Sequence, residues 1–310
     1  KRLHLYPEPY SLKLRGLIAE KHDLCQKQVI IGNGSDDILN LCVRAFSDTV
    51  RSVGMLNPSY SLYPVLTSLQ RATLHFIEFK DDQFHLPVEK IVSAGVNLFF
   101  LTNPNAPSGV AFDQSEISDL ANRMNSILVV DEAYADFAND SAIHSLSSAE
   151  NLIVTRTLSK SYSLAGSRVG YALASAKIIE VLDSVREVYN LDRMSQAAAY
   201  AALADQEYYE NCLGKILKER QKAYAFFISL GWPTLESQAN FIFTEPVSKG
   251  GKSGKEIAQS LFQYLEENNI FVRYFPNHRL THSKIRISIG TEEQMMILFQ
   301  NIKNWYDERS

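Results

Sequence analysis

Lys160 lies in Thr157-Leu158-Ser159-Lys160-Ser161, directly after the apolar run Leu152–Thr155, which puts an amine among hydroxyls at the end of a buried strand. An amine so placed can form a Schiff base with an aldehyde cofactor. That chemistry asks for three further things: an anchor for a phosphate, a carboxylate for a ring nitrogen and an aromatic plate. Each has a candidate. Asp131 follows the apolar run Ile127–Val130, and an acid at the mouth of a buried strand is costly unless it meets a positive charge such as a protonated ring nitrogen. Tyr134, three residues on, is placed to donate to a phenolate oxygen. Gly32-Asn33-Gly34-Ser35-Asp36 precedes Ile38, Leu41, Cys42 and Ala45 at helical spacing, so a permissive turn runs into a helix N-terminus that offers N–H groups to an anion. Arg168, Ser159 and Thr157 can close on the same phosphate. Tyr60, in Asn57-Pro58-Ser59-Tyr60, can stack on a pyridine ring.

Taken singly, every one of these has a plain structural alternative. Lys160 fits a solvated strand-end lysine, Asp131 a helix cap or metal ligand, Tyr134 a packed core tyrosine and Arg168 a surface charge. Ser35 fits an ordinary N-cap, and Tyr63 and Pro64 make an ordinary turn around Tyr60. What raises the set above its members is that all of them serve one chemistry.

Positioning these groups falls to short apolar runs that alternate with helical patterns between about residues 28 and 175, the signature of a mostly parallel sheet with helices on both faces. The runs Val96–Leu101, Ile127–Val130, Leu152–Thr155 and Val169–Leu173 are almost wholly apolar, as strands buried on both faces are. Ligands of such sheets sit beyond the carboxyl ends of the strands. The segments that follow the first three runs, Asn103-Pro104-Asn105, Asp131-Glu132-Ala133-Tyr134 and Thr157-Leu158-Ser159-Lys160, are therefore the ones expected to carry function. From Met194 to Leu230 the pattern is helical and ends at Gly231-Trp232-Pro233. Beyond it the spacing predicts strands near Ala239–Thr244, Phe271–Tyr274 and Ile285–Ile289, with helices over Lys255–Asn268 and from Glu292. This is an α/β protein with a large domain over residues 1–190 and a smaller α+β domain over 191–310.

A chain of 310 residues that is 45% hydrophobic and 21% charged is folded and globular, and has room for about two domains. Its 31 basic and 35 acidic residues leave a net charge of −4 with the signs mixed, which excludes the basic stripe of a nucleic-acid binder. No apolar run approaches the roughly 20 residues of a membrane helix. Cys25, Cys42 and Cys212 form neither a disulfide framework nor a Cys-x-x-Cys metal site, which fits a reducing cytoplasm. No charged-then-apolar leader opens the chain at Lys1, so a signal peptide is not expected, whereas an upstream segment is.

The segments Gly32-Asn33-Gly34-Ser35-Asp36, Asn57-Pro58-Ser59-Tyr60, Asn103-Pro104-Asn105-Ala106-Pro107-Ser108-Gly109, Asp131-Glu132-Ala133-Tyr134, Thr157-Leu158-Ser159-Lys160 with Arg168-Val169-Gly170-Tyr171, and Ile285 to Gly290 follow one another in a familiar order and spacing. Over essentially its whole length the chain resembles the class I/II pyridoxal-phosphate aminotransferases of fold type I, and within them it is most similar to the histidinol-phosphate aminotransferases. The resemblance implies a three-layer sandwich with a mostly parallel sheet, a smaller C-terminal domain, pyridoxal 5′-phosphate as cofactor, amino- and keto-acid substrates, no metal, and a cytoplasmic homodimer. It implies that Lys160 is the Schiff-base lysine and proton shuttle, Asp131 the ring-nitrogen partner and Tyr134 the phenolate donor. Gly34, Ser35, Asp36, Thr157, Ser159 and Arg168 would hold the phosphate, and Tyr60 would stack on the ring. Tyr6 would reach the cofactor phosphate of the neighbouring subunit. Arg286 would grip a substrate carboxylate, Arg273 would help hold a substrate phosphate, and Tyr189-Asn190 would lie near the substrate.

Two departures stand out. Ala106 occupies a position where the family usually has an asparagine that donates to the phenolate oxygen, and only Asn105, one residue earlier, is left to substitute. The family's N-terminal arm would also precede Lys1. The expected reaction is transamination between histidinol phosphate and 2-oxoglutarate, giving imidazole-acetol phosphate and glutamate. Alternatives of the same motif set are a threonine-phosphate decarboxylase-like lyase, an aromatic or broad-range aminotransferase, and a cofactor-binding regulatory module without turnover, which the acidic balance disfavours.

Overall fold

The apolar runs become the interior strands of a sheet in the computed structural model, which describes residues 3–308. The first half of the chain supplies helix α1 (Leu12–Lys21), strand β1 (Val29–Asn33), α2 (Ser35–Phe46), β2 (Val53–Asn57), α3 (Leu62–Leu69), β3 (Leu74–Glu78), α4 (Val88–Ser93), β4 (Leu98–Thr102), α5 (Gln114–Arg123), β5 (Ile127–Asp131), β6 (Leu152–Thr157) and β7 (Val169–Ala174). The second half supplies α6 (Ala176–Val185), α7 (Arg193–Ala204), α8 (Gln206–Ser229), β8 (Phe241–Thr244), α9 (Lys255–Glu267), β9 (Arg273–Tyr274), β10 (Ile285–Ser288) and α10 (Glu292–Glu308).

Seven strands form one sheet in the order β1-β7-β6-β5-β4-β2-β3. Strands β2 to β6 run parallel to their neighbours, whereas β7 runs antiparallel to both β6 and β1. The mostly parallel sheet expected from the sequence is thus present, with one reversed strand. That reversal matters for the site. The carboxyl ends of β1, β2, β4, β5 and β6 share an edge with the amino end of β7, so Arg168, immediately before Val169, arrives beside Asn33 and Thr157.

Alternate residues of the central strands feed two cores. Ile31, Leu101, Val130 and Val154 pack on one face, and Ile30, Phe100, Val129 and Ile153 on the other. Burial of each such side chain contributes roughly 1.5–3 kcal/mol. A third core lies beneath the antiparallel sheet β8-β10-β9, where Trp232 meets Trp305 edge-on at 6.0 Å among Phe227, Leu261 and Ile285.

The helices after residue 190 divide between these cores. Ala199 and Leu203 of α7 belong to the core of the large sheet, with Leu14 and Ile18, whereas Ala223 and Phe227 of α8 belong to the small one. The helical stretch after Met194 is broken at Asp205, whose carboxylate accepts from the Tyr208 N–H at 3.2 Å. Helix α8, 24 residues and so about 36 Å long, then carries the chain from one core to the other. No helix among the described residues is long and apolar enough to cross a membrane.

His22 follows α1, with its Nε2 3.0 Å from the Tyr171 hydroxyl. Burial, with the cations of Arg156 and Lys21 adding to it, pushes its pKa from 6.5 down to about 4. Between those two values the unfolded chain binds a proton that the folded chain refuses, so stability falls as pH falls through this window, by about 3 kcal/mol in all. His22→Gln keeps a hydrogen-bonding group beside Tyr171 and removes the titration. Its melting temperature should therefore decline less steeply than that of the wild type from pH 6.5 to 4, and parallel curves would contradict the assignment.

Candidate active site

A cavity of about 800 Å³ opens at the edge of the sheet where the strand ends converge, walled on its far side by β9, β10 and the loop between them. Ser35, Asp36, Tyr60, Asp131, Tyr134, Thr157, Ser159, Lys160, Arg168, Arg273 and Arg286 all line it. Residues separated by up to 251 positions are thereby brought to one place, and all eleven are candidates from the sequence.

One end is built for an anion. Helix α2 starts after Gly34, whose φ of 81° is open to glycine but strained for other residues. No side chain caps this helix, so Ser35 is its first residue rather than an N-cap, and the first-turn N–H groups face the cavity with a partial positive charge. The turn is packed to its limit. A Cβ on Gly34 would lie 2.6 Å from Arg168 Nη2, and one on Gly170 would lie 2.3 Å from the Ser35 nitrogen. Arg168 donates to the Asp36 carboxylate at 3.0 Å and reaches Ser159 Oγ at 3.5 Å, while Thr157 Oγ1 accepts from the Ser159 N–H at 3.1 Å. The Asp36 carboxylate is thus spent on holding Arg168 and on accepting from the Tyr60 hydroxyl at 3.2 Å, which leaves its backbone N–H as its contribution to an anion.

The middle holds the acid. Asp131 is 2% exposed, and its oxygens accept from Tyr63 Oη at 2.8 Å and Thr155 Oγ1 at 3.1 Å. Burial pushes its pKa up, against the pull of these donors and of the Ala133 N–H. Among the described residues no cation pairs with it. Tyr63 in turn bonds Thr102 at 2.7 Å and lies parallel to Phe100, so the acid rests on a stiff stack. Tyr60 stands edge-on to Tyr63 with centroids 5.6 Å apart, and burial together with Asp36 pushes its hydroxyl up to about 12. Lys160 Nζ lies 5.5 Å from the centre of the Tyr134 ring, which itself packs edge-on against Phe241.

The other end is cationic. Arg273 and Arg286 are direct cross-strand partners in the β9–β10 pair, an arrangement that costs energy for like charges. Among the described residues neither guanidinium is ion-paired. Arg286 lies over the rings of Phe241 and Phe275, at 4.8 and 5.5 Å, and its Nε is buried without a hydrogen bond. Burial lowers its pKa, with Arg273 adding to the effect and Tyr134 opposing it.

Four expected residues lie elsewhere. Asn105 is fully buried in its own loop, where its oxygen accepts from Ser108 Oγ at 2.7 Å and its nitrogen faces the Pro58 carbonyl at 3.4 Å. The cavity wall there is formed by Ala106 and Pro107, so the amide sought as a phenolate donor is turned away. Tyr6 and Tyr189 stack on one another at 4.5 Å outside the cavity. Asn190 braces the anion turn from behind, donating to the Ile31 carbonyl at 2.9 Å and the Asp37 carboxylate at 3.1 Å. Conversely, Tyr63, Thr102 and Thr155 around Asp131 were not singled out from the sequence. Their only signal was position at a strand end or three residues after Tyr60.

These features suit pyridoxal phosphate. An open helix N-terminus beside an arginine fits its phosphate, a buried carboxylate without a paired cation among the described residues fits its ring nitrogen, and an amine lines the same cavity. The family model for aminotransferase class I and II matches residues 1–302. A histidinol-phosphate aminotransferase of Geotalea daltonii is 41% identical over 293 residues, which cover 94% of this chain and 82% of that protein. One from Syntrophotalea carbinolica is 43% identical over 267 residues, 86% of this chain and 74% of its own. Among solved structures, the histidinol-phosphate aminotransferase from Sinorhizobium meliloti in complex with pyridoxal-5′-phosphate matches with a TM-score of 0.88 at 27% identity, over 98% of this chain and 84% of that one.

Proposed function

Because the chain belongs to the aminotransferase class I and II family, we propose that this pyridoxal-phosphate enzyme moves the amino group of histidinol phosphate to 2-oxoglutarate, yielding imidazole-acetol phosphate and glutamate. The observation that carries the substrate class is the opposition of Arg273 and Arg286 across β9 and β10, with no carboxylate among the described residues ion-paired to either. Two adjacent cations facing one cavity call for an anion from solution. The same pair serves a phosphate in one half-reaction and a dicarboxylate in the other.

When bound, pyridoxal phosphate supplies an aldehyde that captures amines and a ring that withdraws electrons from the substrate Cα. The chain's own part follows from its geometry. Backbone N–H groups of Ser35 and Asp36, the hydroxyls of Thr157 and Ser159 and the Arg168 guanidinium would hold the phosphate, with Gly34 giving the turn its shape. Asp131 would face the ring nitrogen and keep it protonated, Tyr134 would donate to the ring oxygen, and Tyr60 would cover one face. Lys160 would hold the aldehyde at rest and then take and return the proton at the substrate Cα.

A cytoplasmic homodimer belongs to the same reading. Leu3, Leu5, Tyr6 and Met194 are exposed around a second hollow of about 390 Å³, and the exposed Tyr189 stacks on Tyr6, an apolar surface suited to a second copy. Tyr6, remote from its own cavity, would there reach the neighbour's phosphate.

The reaction is tested by loading the purified protein with cofactor, adding histidinol phosphate, tyrosine, phenylalanine or glutamate singly, and following the visible absorbance. Histidinol phosphate should be converted at least about tenfold faster than either aromatic amino acid. Equal rates would replace this reading with a broad-range aminotransferase.

A further inference from the structure

Four polar residues with no role assigned in the site, three of them buried and Asp136 partly so, lie within two positions of a residue of the site: Glu132 follows Asp131, Asp136 lies two after Tyr134, Arg156 stands between Thr155 and Thr157, and Ser161 follows Lys160. Side chains alternate across a strand, so Arg156 points to the side opposite Thr155 and Thr157, away from the cavity. There the four meet. Arg156 Nε donates to Glu132 Oε2 at 2.7 Å, Nη1 to Asp136 Oδ1 at 2.6 Å and Nη2 to Ser141 Oγ at 2.9 Å. Glu132 also accepts from Ser141 Oγ at 2.8 Å and the Ala142 N–H at 2.6 Å, and the second oxygen of Asp136 accepts from the Ser161 hydroxyl.

A buried ion cluster is a poor device for stability alone, because apolar side chains of equal volume commonly do as well or better. What it does impose is geometry. One planar guanidinium with donors in fixed directions ties three separate chain segments to one another, and reacting groups misplaced by about 1 Å can lose about a hundredfold in rate. We propose that Arg156 is a positioning residue for the reaction: through Glu132 on one side, and Asp136 with Ser161 on the other, it sets the segments bearing Asp131, Tyr134 and Lys160 in mutual register. The proposal rests on the reading of Lys160, Asp131 and Tyr134 given above. The remaining titratable groups that face the cluster are Lys21 and His22 at the end of α1, Tyr171 of β7, Tyr162, and Tyr209 of α8.

Ser161→Ala and Asp136→Asn, each in the full chain loaded with pyridoxal phosphate, test it. Both should bind cofactor and melt within a few degrees of the wild type. Each should lower kcat about tenfold or more, with KM within about threefold, and shift the pH midpoint of the visible absorbance by roughly half a unit. For Asp136→Asn the shift should be downward, since a negative charge beneath Lys160 is lost. Ser161→Thr, which retains the hydroxyl, should restore both readings. Native kcat and midpoint in the two variants would overturn the proposal, and if Ser161→Ala melts too low to load, Asp136→Asn decides in the same way. Borohydride fixation of the wild-type cofactor at a lysine other than Lys160 would instead refute the underlying reading, so the two failures are distinguishable.

Discussion

Replacing Lys160 with alanine should lower the rate of transamination about ten-thousand-fold or more, because on the proposed reading the variant would lose both the covalent anchor and the group that moves the Cα proton. The fold should be indifferent. Among the described residues the amine makes no hydrogen bond or ion pair, only the contact with the face of Tyr134, so the melting temperature of the unloaded protein should stay within a couple of degrees of wild type. The anion turn, Arg168 and Asp131 remain, so cofactor should still bind, though reversibly. Single-turnover rates, melting curves and dialysis after loading separate these effects. Wild-type turnover in Lys160→Ala would remove the assignment, as would a cofactor fixed by borohydride to another lysine.

Asp131→Asn should reverse the usual relation between function and stability. The carboxylate is buried among Tyr63, Thr155 and apolar strands with no cation paired to it among the described residues, and burial raises its pKa. A carboxyl whose folded pKa lies above its unfolded value favours the folded state only at low pH. That advantage is lost as pH rises through the folded pKa, and at neutral pH the unloaded protein bears the full cost of a desolvated charge. Asparagine has the same shape and can still accept from the Tyr63 hydroxyl. The unloaded variant should therefore melt at or above the wild-type temperature at pH 7. Its kcat should fall about a thousandfold and its affinity for cofactor about tenfold or more, since on the proposed reading the ring nitrogen would lose the charge that keeps it protonated. A variant that is both less stable without cofactor and undiminished in kcat would show that Asp131 does no more than pack.

Much of this site was legible in the chain because its chemistry is concentrated in short segments that follow buried strands. Asp131, Tyr134, Lys160 and the Gly34-Ser35-Asp36 turn are local statements: an apolar run must end, the residues after it face the ligand edge of a parallel sheet, and a glycine turn before a helix exposes N–H groups. Arg168 was also legible, although it is the reversal of β7 that delivers it, since a strand leaving the edge starts where its parallel neighbours finish.

Residue type and order did not determine which way side chains turn once distant segments pack. Asn105 and Ala106 are neighbours, yet the loop buries the amide and presents the methyl group to the cavity. Asn190 is drawn to the Ile31 carbonyl and Asp37 behind the anion turn, and α7 joins the core of the large sheet because it finds its apolar partners on α1. The opposition of Arg273 to Arg286 depends on the register of β9 against β10, and the pairing of Arg156 with Glu132 on that of β6 beside β5. Such registers are set by the fit of whole faces across the sheet, where a shift of one residue would turn every side chain to the opposite side.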